Sequence, residues 1–318
     1  MRALVLGAGG FLGSHLCQRL VLQGWRVTAI VRDPEAPWCR QRLGPVLRHL
    51  RLVHGDVNDG DLIEREVCGQ DAVFPFAGRS GAANSFLVPI DDVAVNVSSH
   101  VLLLETLRRR NRNARVVFPG SRLQYGPPQR LPVDEEQPLK PTSPYGINKV
   151  AAESYYRLYH QMYGLPTTCL RISNPFGPHQ TRPDRAFGVV GTFLSIAAQD
   201  GTIRLYGGGH QLRDFLYVED LLDLILMVTE RPAAIGRVYN AGGSSVLPLE
   251  EMAATVIRVI GRGRVEQCPW PAAEAAVETG DYVSDLERVG AEIGWQPSTT
   301  FEAGLAATWN RELKGARS

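Results

Sequence analysis

A strand, a glycine-rich turn and a helix follow one another at the N-terminus, and no other feature constrains the fold as much. Ala3–Leu6 is short and apolar, as buried strands are. The next residues, Gly7-Ala8-Gly9-Gly10-Phe11-Leu12-Gly13, place glycines at the spacing G-x-x-G-x-x-G. From Ser14 to Gln23 apolar residues recur at helical intervals, and Gly24 ends the pattern. This order predicts the first unit of an α/β fold with a Rossmann-type, doubly wound parallel sheet.

The spacing of these glycines is typical of a dinucleotide-binding site. Gly7 permits a tight turn, Gly10 lets a pyrophosphate approach the backbone, and Gly13 lets the helix pack closely on the strand. The N-terminus of the helix supplies unpaired N–H groups and a positive dipole end for the phosphates. An ordinary glycine-rich turn has the same composition, and it is the flanking strand and helix that favour the cofactor site.

The end of the second predicted strand bears on the choice of cofactor. Trp25–Val31 leads into Arg32 and Asp33, where the adenosine ribose of a dinucleotide would lie. An acid there binds the 2′-hydroxyl of NAD, whereas an arginine pairs with the 2′-phosphate of NADP. Because Arg32 comes first, the pattern leans to NADP. The alternative is that Arg32 stacks on the adenine of either cofactor.

Bulk composition excludes several functional classes. The 318 residues can form one large α/β domain or one domain with a smaller lobe, and contents of 44% hydrophobic and 21% charged residues are typical of a soluble globular protein. A net charge of +1 does not favour binding to nucleic acid or to a membrane surface. Five scattered cysteines without a C-x-x-C pair indicate reduced thiols and no metal site. No apolar run approaches the roughly 20 residues of a membrane span, so we expect a cytoplasmic protein.

Later segments extend the sheet and then lose their regularity. Strands are predicted around Leu52–Val57, Ala72–Gly78 and Arg115–Phe118, and helices over 91–110 and 144–163. We expect residues 1–172 plus about 214–240 to form the dinucleotide-binding Rossmann domain. A smaller C-terminal α/β substrate-binding lobe would comprise about 173–213 plus 241–318.

A tyrosine and a lysine four residues apart carry the chemistry. Tyr145 and Lys149 would project from the same face of the helix over 144–163. A free tyrosine, with a pKa of about 10, is a poor base at neutral pH, and a neighbouring ammonium group lowers that pKa. Ser121, at the end of the preceding strand, could hold the same substrate oxygen. A surface pair on a helix is the alternative, but the position after a dinucleotide fold favours catalysis.

These motifs resemble the extended short-chain dehydrogenase/reductases, in the NAD-dependent epimerase/dehydratase family that acts on nucleotide sugars. The match runs in order along nearly the whole chain. The matching stretches are Gly7–Gly13, Gly55-Asp56-Val57, Phe76-Ala77-Gly78, Asn96-Val97, Ser121 with Tyr125-Gly126, Pro141–Lys149, Arg171–Pro178, Arg213–Asp220 and Gly294–Pro297.

The resemblance implies a role for each matching residue. The catalytic residues would be Ser121, Tyr145 and Lys149. The cofactor, NAD or NADP, would be bound by Gly7, Gly10, Phe11, Leu12, Gly13, Arg32, Asp56, Val57, Phe76, Ala77, Gly78, Asn96, Tyr145, Lys149 and Ile172. The substrate would be bound by Ser121, Tyr145, Asn174 and Arg213. Ser80, Arg122 and Tyr206 are further candidates for the substrate pocket, and Arg122 and Tyr206 could equally be surface or core residues. Asn96 is alternatively a helix-surface residue, and Arg213 is alternatively paired with Asp214 or Glu219.

Two departures from the family pattern narrow the reaction. Where 4,6-dehydratases carry Asp-Glu after a threonine, Arg122 and Leu123 follow Ser121, which disfavours that reaction. A second diphosphate-binding arginine is expected shortly before Gly280, but Val277-Glu278-Thr279 stands there. We therefore expect the nucleotide half of the substrate to be bound differently from the family pattern, without this second arginine.

Three functions remain open after these comparisons. The first is a nucleotide-sugar 4-epimerase that works through transient hydride transfer and a 4-keto intermediate. The second is an NADPH-dependent reductase of nucleotide 4-keto sugars, which Arg32 favours. The third is a non-catalytic dinucleotide sensor, which the intact Ser121, Tyr145 and Lys149 disfavour. By resemblance, the helices at 91–110 and 144–164 would form a homodimer interface.

Overall fold

A computed structural model describes residues 1–180 and 188–315, and the chain divides into two compact units. The first unit comprises residues 1–124, 143–171 and 222–239; the second comprises 125–142, 172–221 and the segment from residue 240 onwards. Residues 125–142 and 214–221 thus group with the second unit, whereas the sequence placed them with the first. Part of the expected lobe, residues 181–187, lies outside the described residues.

The described residues form twelve strands. Their bounds are β1 Arg2–Leu6, β2 Arg26–Val31, β3 Leu50–His54, β4 Ala72–Pro75, β5 Arg115–Ser121, β6 Thr167–Ile172, β7 Asn174–Phe176, β8 Thr202–Tyr206, β9 Leu212–Tyr217, β10 Val238–Ala241, β11 Ser245–Pro248 and β12 Arg264–Cys268.

The same part of the chain forms thirteen α-helices. They are α1 Phe11–Leu22, α2 Pro37–Leu43, α3 Gly60–Val67, α4 Ala82–Leu87, α5 Pro89–Val93, α6 Ser99–Arg110, α7 Pro144–Tyr163, α8 Gly188–Ala198, α9 Val218–Glu230, α10 Leu249–Ile260, α11 Ala272–Val277, α12 Glu287–Ile293 and α13 Phe301–Gly315. Short 3₁₀ turns include Arg122–Gln124. No helix among the described residues is long and apolar enough to cross a membrane.

A seven-stranded parallel sheet in the order β10-β6-β5-β4-β1-β2-β3 confirms the doubly wound α/β fold. The interior strand β1 is apolar and buried from Ala3 to Leu6, since helices cover both faces of such a sheet. Neighbouring strands pair in parallel register, with Leu6 opposite Ile30 on one side and Pro75 on the other. The carboxyl ends of β1, β2 and β4 therefore meet at the same edge.

The second unit contains two smaller sheets and a separate core. The order β11-β9-β7 forms one sheet, and β12 pairs in parallel with β8 to form the other. Phe176, Phe215 and Phe301 are almost fully buried, with ring centroids 4.9–5.1 Å apart where Phe301 meets the other two. This aromatic cluster anchors β7 and β9, which overlap the matching stretches Arg171–Pro178 and Arg213–Asp220.

The helix expected over 91–110 is interrupted. A π-helical turn at Ala94–Ser98 separates α5 from α6. Such turns contain one residue more than an α-helical turn and occur frequently at functional sites. Asn96 lies at the centre of this turn and is fully buried, so it is not a helix-surface residue.

Candidate active site

The glycine turn lies tightly against the end of β4. Gly7 has φ = +76°, and a Cβ added there would lie 2.5 Å from the backbone nitrogen of Ala77. A Cβ on Gly13 would lie 2.3 Å from the carbonyl oxygen of Gly7. Only glycine fits either contact, because Cβ atoms do not approach backbone atoms this closely. The turn, the start of α1 and the Ala77-Gly78 segment are thereby brought to one edge of the sheet.

Tyr145 and Lys149 are held at the start of α7. Ser143 caps this helix by accepting a hydrogen bond from Gly146 N at 3.2 Å, and Pro144 occupies its first turn. The Lys149 ammonium group donates to the carbonyl oxygen of Pro119 at 2.8 Å and lies 5.8 Å from the centre of the Tyr145 ring. The lysine thus links the tyrosine's helix to the end of β5.

The pKa of Tyr145 is shifted in the direction opposite to the one expected from the sequence. Burial raises the pKa of Tyr145 to about 12, although a hydrogen bond with Ser121 opposes the shift and the charge of Asp92 adds to it. Burial lowers the pKa of Lys149 to about 8, and Asp92 acts against that shift. The expected lowering of the Tyr145 pKa is therefore not found in the protein alone, because desolvation of the phenolate dominates. Tyr145 is a neutral phenol at pH 7.

Ser121 is positioned by a buried network that the sequence did not suggest. Its backbone N–H donates to Gln124 Oε1 at 2.7 Å, and Gln124 Nε2 donates to Glu153 Oε2 at 2.6 Å. Arg171 completes the network with two hydrogen bonds to Glu153, at 2.6 and 2.9 Å. All three side chains are buried. Since Glu153 lies two turns after Tyr145 on α7, the network ties the serine to the tyrosine's helix.

The adenosine end of the predicted cofactor site has one free cation. Arg32 is exposed and has no ion pair or hydrogen bond within the described part of the chain. Asp33 Oδ1 accepts from the backbone N–H groups of Glu35 and Ala36, at 3.2 and 3.0 Å. The carboxylate is thus engaged in the local turn while the guanidinium group is available.

Other predicted cofactor residues lie around the same sheet edge. Asp56 is exposed after β3 and accepts from Asn58, whereas Val57 is buried. Phe76, Ala77 and Gly78 follow β4, Phe11 and Leu12 open α1, and Ile172 ends β6. Of the predicted substrate residues in this unit, Ser80 is exposed in the loop after Gly78, and Arg122 begins the turn after Ser121.

The remaining predicted substrate residues belong to the second unit. Asn174 donates from Nδ2 to the carbonyl oxygen of Asp214 at 2.9 Å, and Tyr206 lies beside Trp270 with ring centroids 5.6 Å apart. Arg213 forms an ion pair with Glu278 at 2.5 Å. The partner is therefore neither Asp214 nor Glu219, the two alternatives that the sequence offered, and it stands where an arginine was expected.

Comparison with known proteins identifies the family. The model described as the NAD dependent epimerase/dehydratase family matches residues 3–242, about three quarters of the chain. The chain belongs to this family. It is 29% identical over 310 residues to a protein described as a putative UDP-glucose 4-epimerase of Methanocaldococcus jannaschii, covering 96% of this chain and 97% of that one.

Solved structures agree with this membership. The UDP-glucose 4-epimerase of Thermotoga maritima, determined with UDP-glucose, superposes with a TM-score of 0.88 at 25% identity, covering 99% of this chain and all of that one. The dTDP-glucose 4,6-dehydratase of Streptomyces venezuelae, determined with NAD, also gives 0.88, at 28% identity and 99% and 98% coverage. The protein is therefore an enzyme of the extended short-chain dehydrogenase/reductase type.

The residues present fit a dinucleotide of this family. The glycine turn leaves the edge of β1 without side chains, and the side-chain oxygen of Asn96, next to Gly78, is buried without a hydrogen-bond partner. A buried acceptor in this state calls for a donor from a ligand. Among the described residues there is no group of three or more metal-ligating side chains.

Proposed function

We propose that this enzyme is a nucleotide-sugar 4-epimerase. The observation that carries the proposal is the Ser121–Tyr145 hydrogen bond with Lys149 beside it, at the edge of the sheet where the glycine turn lies. A tyrosine in contact with a serine hydroxyl is placed to exchange a proton with the 4-hydroxyl group of a sugar, because its phenolate form accepts a proton and its phenol form donates one.

Three residues of the chain would take part in the proton transfer. Ser121 orients the sugar oxygen. Tyr145 acts as the phenolate, which the positive charge of Lys149 stabilises, and accepts the proton of the sugar hydroxyl; the resulting phenol later returns that proton to the 4-keto oxygen. When bound, the nicotinamide cofactor supplies reversible hydride exchange at the sugar carbon. Return of the hydride to the opposite face of the 4-keto sugar inverts that carbon.

Dehydration at carbons 4 and 6 is less well supported, although dehydratases are among the relatives. That reaction needs further acids next to the sugar, and the turn after Ser121 offers Arg122 and Leu123 instead. The carboxylate nearest in the hydrogen-bond network, Glu153, is buried and already paired with Arg171. It is not available as an acid or base.

A second candidate is an NADPH-dependent reductase of nucleotide 4-keto sugars. The free guanidinium group of Arg32 supports it, because a 2′-phosphate would find a ready cation there. We propose NAD as the cofactor from the family and treat NADP as the alternative that this one residue favours. A reductase would consume NADPH with each turnover, whereas an epimerase would regenerate its cofactor.

The proposed cofactor and substrate residues are those predicted from the sequence. Gly7–Gly13, Ala77, Gly78 and Asn96 would hold the dinucleotide. In the second unit, the nucleotide diphosphate and sugar would be held by Asn174, Tyr206 and Arg213. The diphosphate would compete with Glu278, the ion-pair partner of Arg213. We also propose the homodimer through α6 and α7, supported by the exposed apolar side chains of Tyr155, Leu158 and Met162.

One panel of substrates tests the proposal. UDP-, dTDP-, GDP- and CDP-sugars, with nucleotide 4-keto sugars among them, are incubated with the purified enzyme, with and without added NADPH, and the products are identified by NMR. We expect epimer formation without net consumption of cofactor. The Tyr145→Phe variant should lose about 10²–10⁴ of the rate while keeping its thermal transition. A product formed only with stoichiometric NADPH would establish the reductase instead.

A further inference from the structure

The amide of Asn96 is held in one orientation. Its Nδ2 group donates to the carbonyl oxygen of Arg79 at 3.1 Å and to the carboxylate of Asp92, with distances of 2.8 and 3.1 Å to the two oxygens. These contacts use both N–H bonds of the amide. A flipped amide would place its oxygen against three acceptor oxygens, so the observed assignment is the only favourable one.

The other end of the same amide is unpaired. Asn96 Oδ1 is buried and makes no hydrogen bond, and a Cβ added to Gly78 would lie 3.0 Å from it. The oxygen therefore faces the backbone just after β4, beside Ala77, which touches the glycine turn. An unpaired buried acceptor is destabilising, and a ligand donor at this point would remove that penalty.

Asp92 is an unusual partner for an amide. It is 2% exposed, and within the described residues no lysine or arginine pairs with it. Its other hydrogen bond comes from Asn148 Nδ2 at 3.1 Å, one residue before Lys149. Lys149 is near enough for its charge to act on Asp92, but the side-chain hydrogen bonds to this carboxylate come from neutral amides. Burying a carboxylate in this way is costly, and a neutral side chain would fill the space at lower cost. A carboxylate, however, can only accept, so it dictates which end of the Asn96 amide faces it.

We propose that Asp92 is a positioning residue that fixes the Asn96 amide, so that Asn96 Oδ1 accepts a hydrogen bond from a hydroxyl donor of the dinucleotide at Gly78. The same carboxylate also accepts a hydrogen bond from Asn148 of α7, so one buried group positions both the Asn96 oxygen and the start of the catalytic helix. The inference rests on the proposed cofactor site and adds to it a residue that does not touch the cofactor.

A double-mutant cycle tests it. Asp92→Asn, Asn96→Ala and the double variant are prepared free of cofactor, and the dissociation constants of NAD⁺ and NADP⁺ are measured by calorimetry. Asp92→Asn removes the acceptor-only partner, so the Asn96 amide can flip and present N–H groups to the cofactor. We expect each single variant to bind about tenfold more weakly and the double variant to bind no more weakly than Asn96→Ala.

Asp91→Asn is the matched control. Asp91 is the exposed neighbour, 3.9 Å from Arg79, and its loss should leave affinity within twofold of the wild type. If Asp92→Asn shifts only the thermal transition, or weakens binding equally in the Asn96→Ala background, the positioning role is overturned. If Asn96→Ala itself binds like wild type, the assignment of Asn96 to the cofactor site falls as well. Asp92→Ala takes the place of Asp92→Asn if the latter does not fold.

Discussion

Glu278 Oε1 lies 2.5 Å from Arg213 Nη2, and this ion pair occupies the arginine expected to bind a substrate diphosphate. The Arg213 side chain is only 4% exposed, and its Nη1 donates to the carbonyl oxygens of Leu212 and Gly280. Glu278 Oε1 also accepts from the backbone N–H groups of Thr279 and Gly280, each at 2.9 Å. A diphosphate that reaches Arg213 must therefore displace a carboxylate that is well held.

Neutralising this carboxylate should strengthen diphosphate binding. Glu278→Gln keeps an acceptor for Arg213 but removes the competing charge, so we expect UDP or dTDP to bind about tenfold more tightly in calorimetric titrations. Uridine and thymidine, which lack phosphates, serve as ligand controls, and Glu287→Gln is the control variant at an exposed glutamate. Unchanged affinity for both diphosphates would mean that the Arg213–Glu278 pair is structural.

Lys149 should make stability depend on pH in a defined window. Its pKa is about 8 in the folded protein and 10.5 ordinarily, so between these values the unfolded chain binds one more proton. The free energy of unfolding therefore rises with pH across this window, by about 3 kcal/mol. Lys149→Met should lose this rise. Tyr145, whose pKa is raised, acts in the opposite direction between about pH 10 and 12 in both proteins and cancels in the comparison.

Thermal transitions of wild type and Lys149→Met, recorded by calorimetry from pH 7 to 10.5, measure this difference. Above pH 8 the transition temperature of the wild type should rise steadily relative to that of Lys149→Met, and below pH 8 the difference between the two should stay constant. Parallel behaviour over the whole range would show that Lys149 keeps its ordinary pKa.

Arg32 should discriminate between the two cofactors. Because its guanidinium group is free and exposed, we expect Arg32→Ala to weaken NADP⁺ binding by about tenfold and to change NAD⁺ binding less than twofold. Dissociation constants of NAD⁺ and NADP⁺ for the wild type and the variant, measured by quenching of protein fluorescence, test this prediction. Equal losses for both would instead indicate stacking on the adenine.

The exposed apolar stripe of α7 should mediate self-association. Leu158 and Met162 are 47% and 66% exposed, whereas Tyr159 between them is buried and bonds Glu105 at 2.5 Å. Leu158→Glu places a charge in the stripe and should convert a dimer to a monomer in light-scattering experiments. Leu22→Glu, the same substitution at a leucine of α1 that is 81% exposed, should leave the dimer intact. A monomeric wild type would contradict the proposal directly.

Local sequence patterns predicted the α/β fold, because the apolar strand Ala3–Leu6 and the glycine turn after it are recognisable from residues that are close in sequence. The bounds of α7 followed from Pro144 at its start and Gly164 at its end. What could not be predicted depends on pairs distant in sequence. Gln124 meets Glu153 across 29 residues, and Arg213 meets Glu278 across 65. The domain boundaries, the site residues and the dimer remain predictions.

The π-helical turn at Ala94–Ser98 makes this stretch sensitive to length rather than to composition. Before it lies Asp92, bonded to α7; after it, Leu103, Leu104 and Leu107 are packed in the core. Each residue of a helix advances the chain by about 100°, so deleting one residue from the turn would swing Asp92 a quarter-turn away from Asn148. Substitutions in this turn at positions other than Asn96 leave the number of residues between Asp92 and these leucines unchanged, whereas a deletion or an insertion alters it.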